Sequence, residues 1–124
     1  MRIFLAGFAL ALSPIFGSAG FAADEAGQEV FNNNCRTCHS WKKDDNRLGP
    51  HLHAIVGRKA GSVAGFAYSG SMKNSGVTWD ESSLDKFIAN PDSVVPNSKM
   101  KPYTGIADAA TRKQIIEFLK SNPD

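Results

Sequence analysis

The run Cys35-Arg36-Thr37-Cys38-His39 constrains this chain more than any other feature. Two thiols separated by two residues, followed at once by an imidazole, form the C-x-x-C-H pattern through which a haem is attached. The spacing has a physical basis: the thiols can reach the two vinyl groups on one side of a porphyrin and form thioethers. The histidine then turns its imidazole beneath the iron, where histidine is a common axial ligand. Three other readings compete. The cysteines could form a single disulfide beside an ordinary histidine. A thioredoxin-like dithiol belongs after a strand in a βαβ context, which is missing here. Zinc would require two further ligands near the pair, and the chain has no other cysteine.

The amino terminus favours haem attachment, because it points to export. Arg2 precedes an uncharged stretch, 3–23, whose hydrophobicity peaks between Ile3 and Leu12 before Ser13, Pro14 and Gly17 dilute it. A short apolar segment ending in small residues is a secretory signal. Gly20 and Ala22 put small side chains where the peptidase needs them, so cleavage is expected after Ala22, with Ala23 as runner-up. An uncleaved anchor is the alternative, since a span needs about 20 apolar residues, but the second half of the stretch is weakly apolar. The expected organisation is a cleaved signal over 1–22, then one domain over 23–124, with no stable membrane insertion after cleavage. The expected location is the periplasm of a Gram-negative bacterium.

Charge excludes one class of partner. Of 14 basic and 12 acidic side chains only Arg2 lies within 1–22, so the mature domain keeps 13 basic against 12 acidic. No like-charge run exceeds Lys42-Lys43 or Asp44-Asp45, which argues against nucleic acid. A domain of about 100 residues is at the small end for an independent core. Eleven glycines and six prolines thin the apolar side chains further. A buried haem would supply a large apolar plate.

Periodicity predicts a mainly helical domain whose connections carry much of its mass. A first helix is expected over Asp24–Asn34, with Val30 and Phe31 on its apolar stripe and Gly27 inside it. That glycine costs about 1 kcal/mol against alanine, and a close helix crossing is one candidate reason. From Trp41 to Ser75 the text is mostly loop, with a short helical turn expected at His51–Val56. Thr78 or Asp80 can cap a helix starting near Glu81, which Pro91 ends near Asn90. Asp92–Tyr103 reads as irregular. The last helix follows Asp108 as cap, carries Ile115, Ile116, Phe118 and Leu119, and stops at the signal Lys120, Asn122 and Pro123. No clean polar–apolar alternation predicts a sheet.

An attached haem needs a sixth ligand or an open face. Met72, Met100, His51 and His53 are the candidates, and composition alone does not choose among them. Met100 lies in Pro96-Asn97-Ser98-Lys99-Met100-Lys101-Pro102, bracketed by prolines and flanked by charge. That is an unusual place for an apolar side chain whose commonest role is core filling.

From about Gly27 to Leu119 the chain resembles the small soluble class I cytochromes c, the bacterial and mitochondrial electron carriers. The resemblance implies an all-α cytochrome c fold, about four to five short helices with long loops wrapped around one covalent haem c. It assigns Cys35 and Cys38 to the thioethers, His39 to the proximal position and Met100, rather than Met72, to the distal one. Gly27 and Phe31 match first-helix positions that pack on the last helix. Pro50 matches the residue whose carbonyl receives the proximal histidine's hydrogen bond. Arg58, Tyr68 and Trp79 match groups near the haem propionates, and Phe66 matches a further aromatic position around the haem. Ser98 and Phe87 match haem-packing positions, and Tyr103 is expected to cover the haem edge. Propionates are anionic and costly to bury without donors, which an arginine, a phenol and an indole supply.

Three departures stand out. Asn97 replaces a common glycine, though asparagine tolerates left-handed backbone. Phe87 replaces a common tyrosine, and Met100–Gly105 is one residue longer than usual. With both axial positions filled, the resemblance implies a single-electron carrier rather than an enzyme. It would be a monomer that docks transiently on redox proteins: a respiratory or photosynthetic membrane complex, or a periplasmic oxidoreductase. Lys99, Lys101 and Lys73 are the expected docking residues, with Lys59 a possible addition.

Overall fold

The computed structural model describes residues 13–14 and 19–121. Residues 1–12 and 15–18 of the expected export signal, and Asn122 and Pro123 of the expected stop, lie outside the described residues. Five helices follow in order: α1 (Ala19–Asn34), α2 (Gly70–Lys73), α3 (Glu81–Ala89), α4 (Pro91–Val94) and α5 (Ala109–Ser121). Among the described residues the β structure is one isolated bridge, between Lys59 and Thr78. None of the described helices is long and apolar enough to cross a membrane. The expected all-α architecture holds.

The glycine in α1 sits where α1 meets α5. A β-carbon on Gly27 would lie 2.9 Å from Phe118 Cβ and 3.4 Å from the Gln114 carbonyl oxygen. The two backbones therefore approach closer than any side chain permits, which is the packing reason its helix penalty required. Phe31, fully buried, extends this contact. Its ring lies 5.4 Å from Trp41 and 5.6 Å from Phe118, and Trp41 is edge-on to Phe118 at 5.3 Å. Such tilted pairs add to the burial of the rings themselves.

Side-chain caps set the starts of α2, α3 and α5. Asp80, not Thr78, caps α3: its carboxylate accepts from the Ser83 amide at 2.7 Å, while Ser83 Oγ accepts from the Asp80 amide at 2.9 Å. This reciprocal box satisfies two otherwise orphaned donors. Pro91 ends α3 and then opens α4 at its first position, where its missing N–H costs nothing. Asp108 accepts from the Thr111 amide at 2.9 Å at the head of α5. Arg112 then locks α5 to α3, with Nε 2.7 Å from Asp85 Oδ1 and Nη1 donating to the carbonyls of Ile106 and Ala107. Leu84, Phe87 and Ile88 of α3 and Ile115, Ile116, Phe118 and Leu119 of α5 are buried in one core.

Four stretches differ from expectation, the first being α1, which begins at Ala19 and not at Asp24. His51–Val56 forms successive turns, not a helical one. Ala54 takes φ +51°, and the Arg58 guanidinium captures the carbonyls of His51 and His53 at 2.7 and 2.9 Å. Those carbonyls are then committed to a side chain instead of to a helical turn. Conversely, α2 and α4 lie in stretches read as loop. Each is four residues long, too short for an apolar stripe, and α2 is started by Ser69 accepting from the Met72 amide at 3.1 Å.

Candidate functional site

The cysteine motif continues directly from α1. The Cys35 amide donates to the Phe31 carbonyl at 2.7 Å and the His39 amide to the Cys35 carbonyl at 2.9 Å, so the motif is wound as a further helical turn. Cys35, Cys38 and His39 all line one cavity of about 230 Å³. The two thiols are not joined to each other. Burial first, and the neighbouring Cys38 second, push the Cys35 thiol up to about 12. A thiol held protonated at neutral pH is a poor redox dithiol, which requires a lowered value. Among the described residues no group of three or more His, Cys, Asp or Glu is placed to hold a metal ion, so a zinc site lacks its ligands.

His39 is buried, at 8% exposure, and its orientation is set by its neighbours. Its Nδ1 lies 2.7 Å from the Pro50 carbonyl oxygen. A carbonyl only accepts, so Nδ1 carries the proton and Nε2 keeps its lone pair for a ligand role. Burial is the main cause lowering the His39 pKa, opposed by the Pro50 bond and assisted by Arg58. The imidazole is therefore neutral near pH 7, the state that binds a metal. Gly49 presses on the same ring: a β-carbon there would lie 2.4 Å from His39 Cε1 and 2.7 Å from Nδ1. The Gly49 amide also donates to the Cys38 carbonyl at 2.7 Å, fastening the 49–50 turn to the motif.

The rest of the wall comes from segments distant in sequence. Every site residue expected from the sequence lines the cavity except Lys73, which is exposed on α2 beside the lining residue Met72. Met72 and Met100 both contribute, whereas His51 and His53 do not. Trp79 packs on Phe87, rings 4.9 Å apart, and Tyr68 meets Phe66 edge-on at 4.9 Å. Tyr103 is partly buried and its hydroxyl donates to the Ile88 carbonyl at 2.5 Å. Burial, with Cys35 nearby as a second cause, pushes that phenol up to about 12. Asn97 takes φ +59°, the left-handed turn its amide side chain tolerates. Apolar walls from Leu52, Ile55, Leu84, Ile88, Ile115 and Leu119 complete the cavity. Sequence reasoning named Ile115 and Leu119 only as part of a helix face, because periodicity shows which side is buried and not against what. Gly49's contact with the imidazole was missed too, and its only textual signal is a glycine next to Pro50.

The donors around this apolar chamber call for an anionic, partly apolar guest. Arg58 is partly buried and has no carboxylate partner among the described residues. Desolvation is the first cause lowering its pKa, yet guanidinium stays charged in proteins. A buried, unpaired cation is costly unless an anion meets it. Tyr68 Oη accepts from the Val63 amide at 3.1 Å and keeps its own proton to give. Ser98 is 4% exposed and its Oγ has no hydrogen-bond partner, an orphan of the kind native structures rarely leave. Apolar walls, two cysteines, a ligand-ready imidazole and unspent donors fit a haem with its two carboxylates.

At the mouth, Lys99 and Lys101 are exposed. Lys101 Nζ pairs with Asp92 at 2.8 Å, both side chains about half exposed, and Lys99 Nζ lies 3.4 Å from the Ala67 carbonyl.

Comparison with known proteins agrees with this geometry. Residues 25–123 match the Cytochrome c family. The chain is 39% identical to cytochrome c of Euglena viridis over 100 residues, covering 81% of this chain and 97% of that one. It is 39% identical to cytochrome c2 of Rhodomicrobium vannielii over 122 residues, covering 96% and 93% of the two chains. The solved structure of cytochrome cH from Methylobacterium extorquens superposes with a TM-score of 0.72 at 38% identity, over 80% of this chain and 98% of that one. The chain belongs to the cytochrome c family, whose members carry electrons on one covalently bound haem c.

Proposed function

We propose that this protein is exported, loses residues 1–22, and shuttles single electrons between redox proteins in the periplasm as a monomer. The observation that carries the reading is the convergence of Cys35, Cys38, His39 and Met100 on one cavity. Cys35 and Cys38 would hold the haem through thioethers, and His39, through Nε2, and Met100 would ligate its iron. The haem contributes a one-electron iron couple, and a thioether ligand raises its potential by favouring the reduced state.

The chain's own residues do the rest. Pro50 and Gly49 fix the imidazole. Arg58, Tyr68, Trp79 and Ser98 would offer donors to the propionates, and Phe87 with the aliphatic walls would keep water away. Tyr103 covers the edge. Lys99 and Lys101 stand at the mouth, so a partner that docks there meets positive charge beside the cavity; Lys73 extends that charge from α2. The Asp92 pair weakens the effect of Lys101, because it partly neutralises that charge. Removal of 1–22 agrees with the family match beginning at residue 25.

Mass spectrometry of protein recovered from the periplasm tests the export and attachment claims together. The expected product begins at Ala23 and carries one haem that survives denaturation. Voltammetry of that product should give one reversible one-electron wave. Haem lost on denaturation, or a chain that keeps Met1, would contradict the proposal.

A further inference from the structure

The segment 96–105 must present Met100 to the cavity, yet its own bonds hold it loosely. Within it the Lys101 amide donates to the Lys99 carbonyl at 2.8 Å, a local turn. Lys99 and Lys101 reach out to Ala67 and Asp92, but both contacts are exposed. Ser98 Oγ has no protein partner. The exit is closed tightly, since a β-carbon on Gly105 would lie 2.0 Å from the Ala89 carbonyl oxygen and the Ile106 amide donates to Ile88 at 2.9 Å.

Between the loose part and the closed exit stands Tyr103. Among the described residues its hydroxyl makes the only side-chain hydrogen bond between 96–105 and α3, at 2.5 Å to the Ile88 carbonyl. Ile88 and its neighbour Phe87 line the same cavity as Met100. Phe87 has no hydroxyl, so α3 itself offers the loop no polar side chain at this point. The Ile88 carbonyl, with two lone pairs, accepts both the phenol and the Ile106 amide. The tie is therefore made to a carbonyl already fixed in position.

We propose that Tyr103 is a positioning residue: its hydroxyl bond to Ile88 holds the Met100 loop shut and sets how readily an outside ligand reaches the iron. The proposal rests on the reading of Met100 as distal ligand. Its logic is a two-state loop. An outside ligand binds only while Met100 is away, so its apparent affinity scales with the fraction of open loop. A partly buried hydrogen bond present only in the closed state holds that fraction down by about fivefold, the typical net worth of such a bond.

Imidazole, titrated into the ferric holoprotein, is the probe, and loss of the long-wavelength sulfur-to-iron absorption band is the readout. Tyr103→Phe keeps the ring and removes only the hydroxyl. The half-saturating imidazole concentration should fall about fivefold in Tyr103→Phe. Thermal unfolding supplies a readout that a purely structural bond would not reproduce. The variant should unfold at lower temperature than the parent without imidazole, and the difference should vanish at saturating imidazole, where the loop is open in both. Equal half-saturation, or a thermal difference that persists undiminished at saturation, overturns the proposal while leaving Met100 ligation standing. A parent ferric spectrum without the sulfur-to-iron band overturns the ligand assignment and this inference with it.

Discussion

Gly49→Ala tests the contact that orients the proximal ligand. The backbone at Gly49 is outside the left-handed region, so alanine brings no conformational strain of its own. What it brings is a β-carbon 2.4, 2.7 and 2.9 Å from three atoms of the His39 ring, where ordinary contact begins near 3.4 Å. The ring has no free direction. The Pro50 carbonyl holds Nδ1 and the Cys35–Cys38 turn holds the backbone. Overpacking of this kind costs about 1–3 kcal/mol, and losing the His39–Pro50 bond adds about 1 kcal/mol. The sum, about 3 kcal/mol, corresponds to a fall of roughly 12–24 °C in Tm for a domain of this size.

Gly65→Ala is the matched control. Gly65 has φ +78° with nothing within 4 Å of its hypothetical β-carbon, so only backbone strain of about 1–2 kcal/mol is expected. Differential scanning calorimetry of both variants, with voltammetry of each, separates the two costs. Gly49→Ala should be the less stable and should also shift the midpoint potential, because the imidazole must move. A Gly49→Ala protein no less stable than Gly65→Ala, with an unchanged potential, would refute the account of how the ring is held.

Three further outcomes follow from the packing and the charges. Arg112→Ala removes three hydrogen bonds that join α3, α5 and the 106–107 turn, and should cost about 2–4 kcal/mol in urea unfolding; Arg112→Lys should not restore it, since a point charge cannot reproduce the fork. Hydrogen bonds from Ser83 hold the Asp80 carboxyl below its ordinary 3.8, and those from Thr111 do the same for Asp108. A depressed folded value means stability complete above 3.8 and lost as pH falls through the folded value, so Asp80→Asn, which still caps but cannot titrate, should flatten the acid limb of the stability–pH curve. Charge reversal of Lys99 and Lys101 to glutamate should slow stopped-flow electron transfer with an acidic partner at low salt while leaving the haem spectrum in place. The difference should close as salt rises, because screening acts over about 8 Å at physiological ionic strength, and equal rates at low salt would remove this edge from docking.

The parts of the fold legible in the text are those written in local chemistry. Asp80 and Asp108 advertise helix starts through side-chain acceptors, Pro91 enforces a stop, and the C-x-x-C-H run announces its guest by spacing together with the expected export signal. Gly27 is legible as an anomaly whose explanation lies on another helix. What escaped depends on side-chain contacts and short elements that periodicity does not register. The turns at 51–56 have helical spacing, but Arg58 takes the His51 and His53 carbonyls, and apolar periodicity carries no sign of a side-chain-to-carbonyl bond. The four-residue helices α2 and α4 carry too few positions to show a period. Lys73 reads in the sequence as the equal of Lys99 and Lys101, and it stands on α2 next to the lining residue Met72 without lining the cavity itself. The pairing of Lys101 with Asp92 of α4 likewise joins exposed residues that no sequence pattern links.

Both Met72 and Met100 line the cavity, so the distal ligand is the point where the account is most exposed. The ferric absorption spectra of Met100→Ala and Met72→Ala, recorded beside the parent, test it most directly. The account predicts loss of the sulfur-to-iron band and a lower midpoint potential in Met100→Ala, with the band intact in Met72→Ala. A band that survives in Met100→Ala and disappears in Met72→Ala would contradict it.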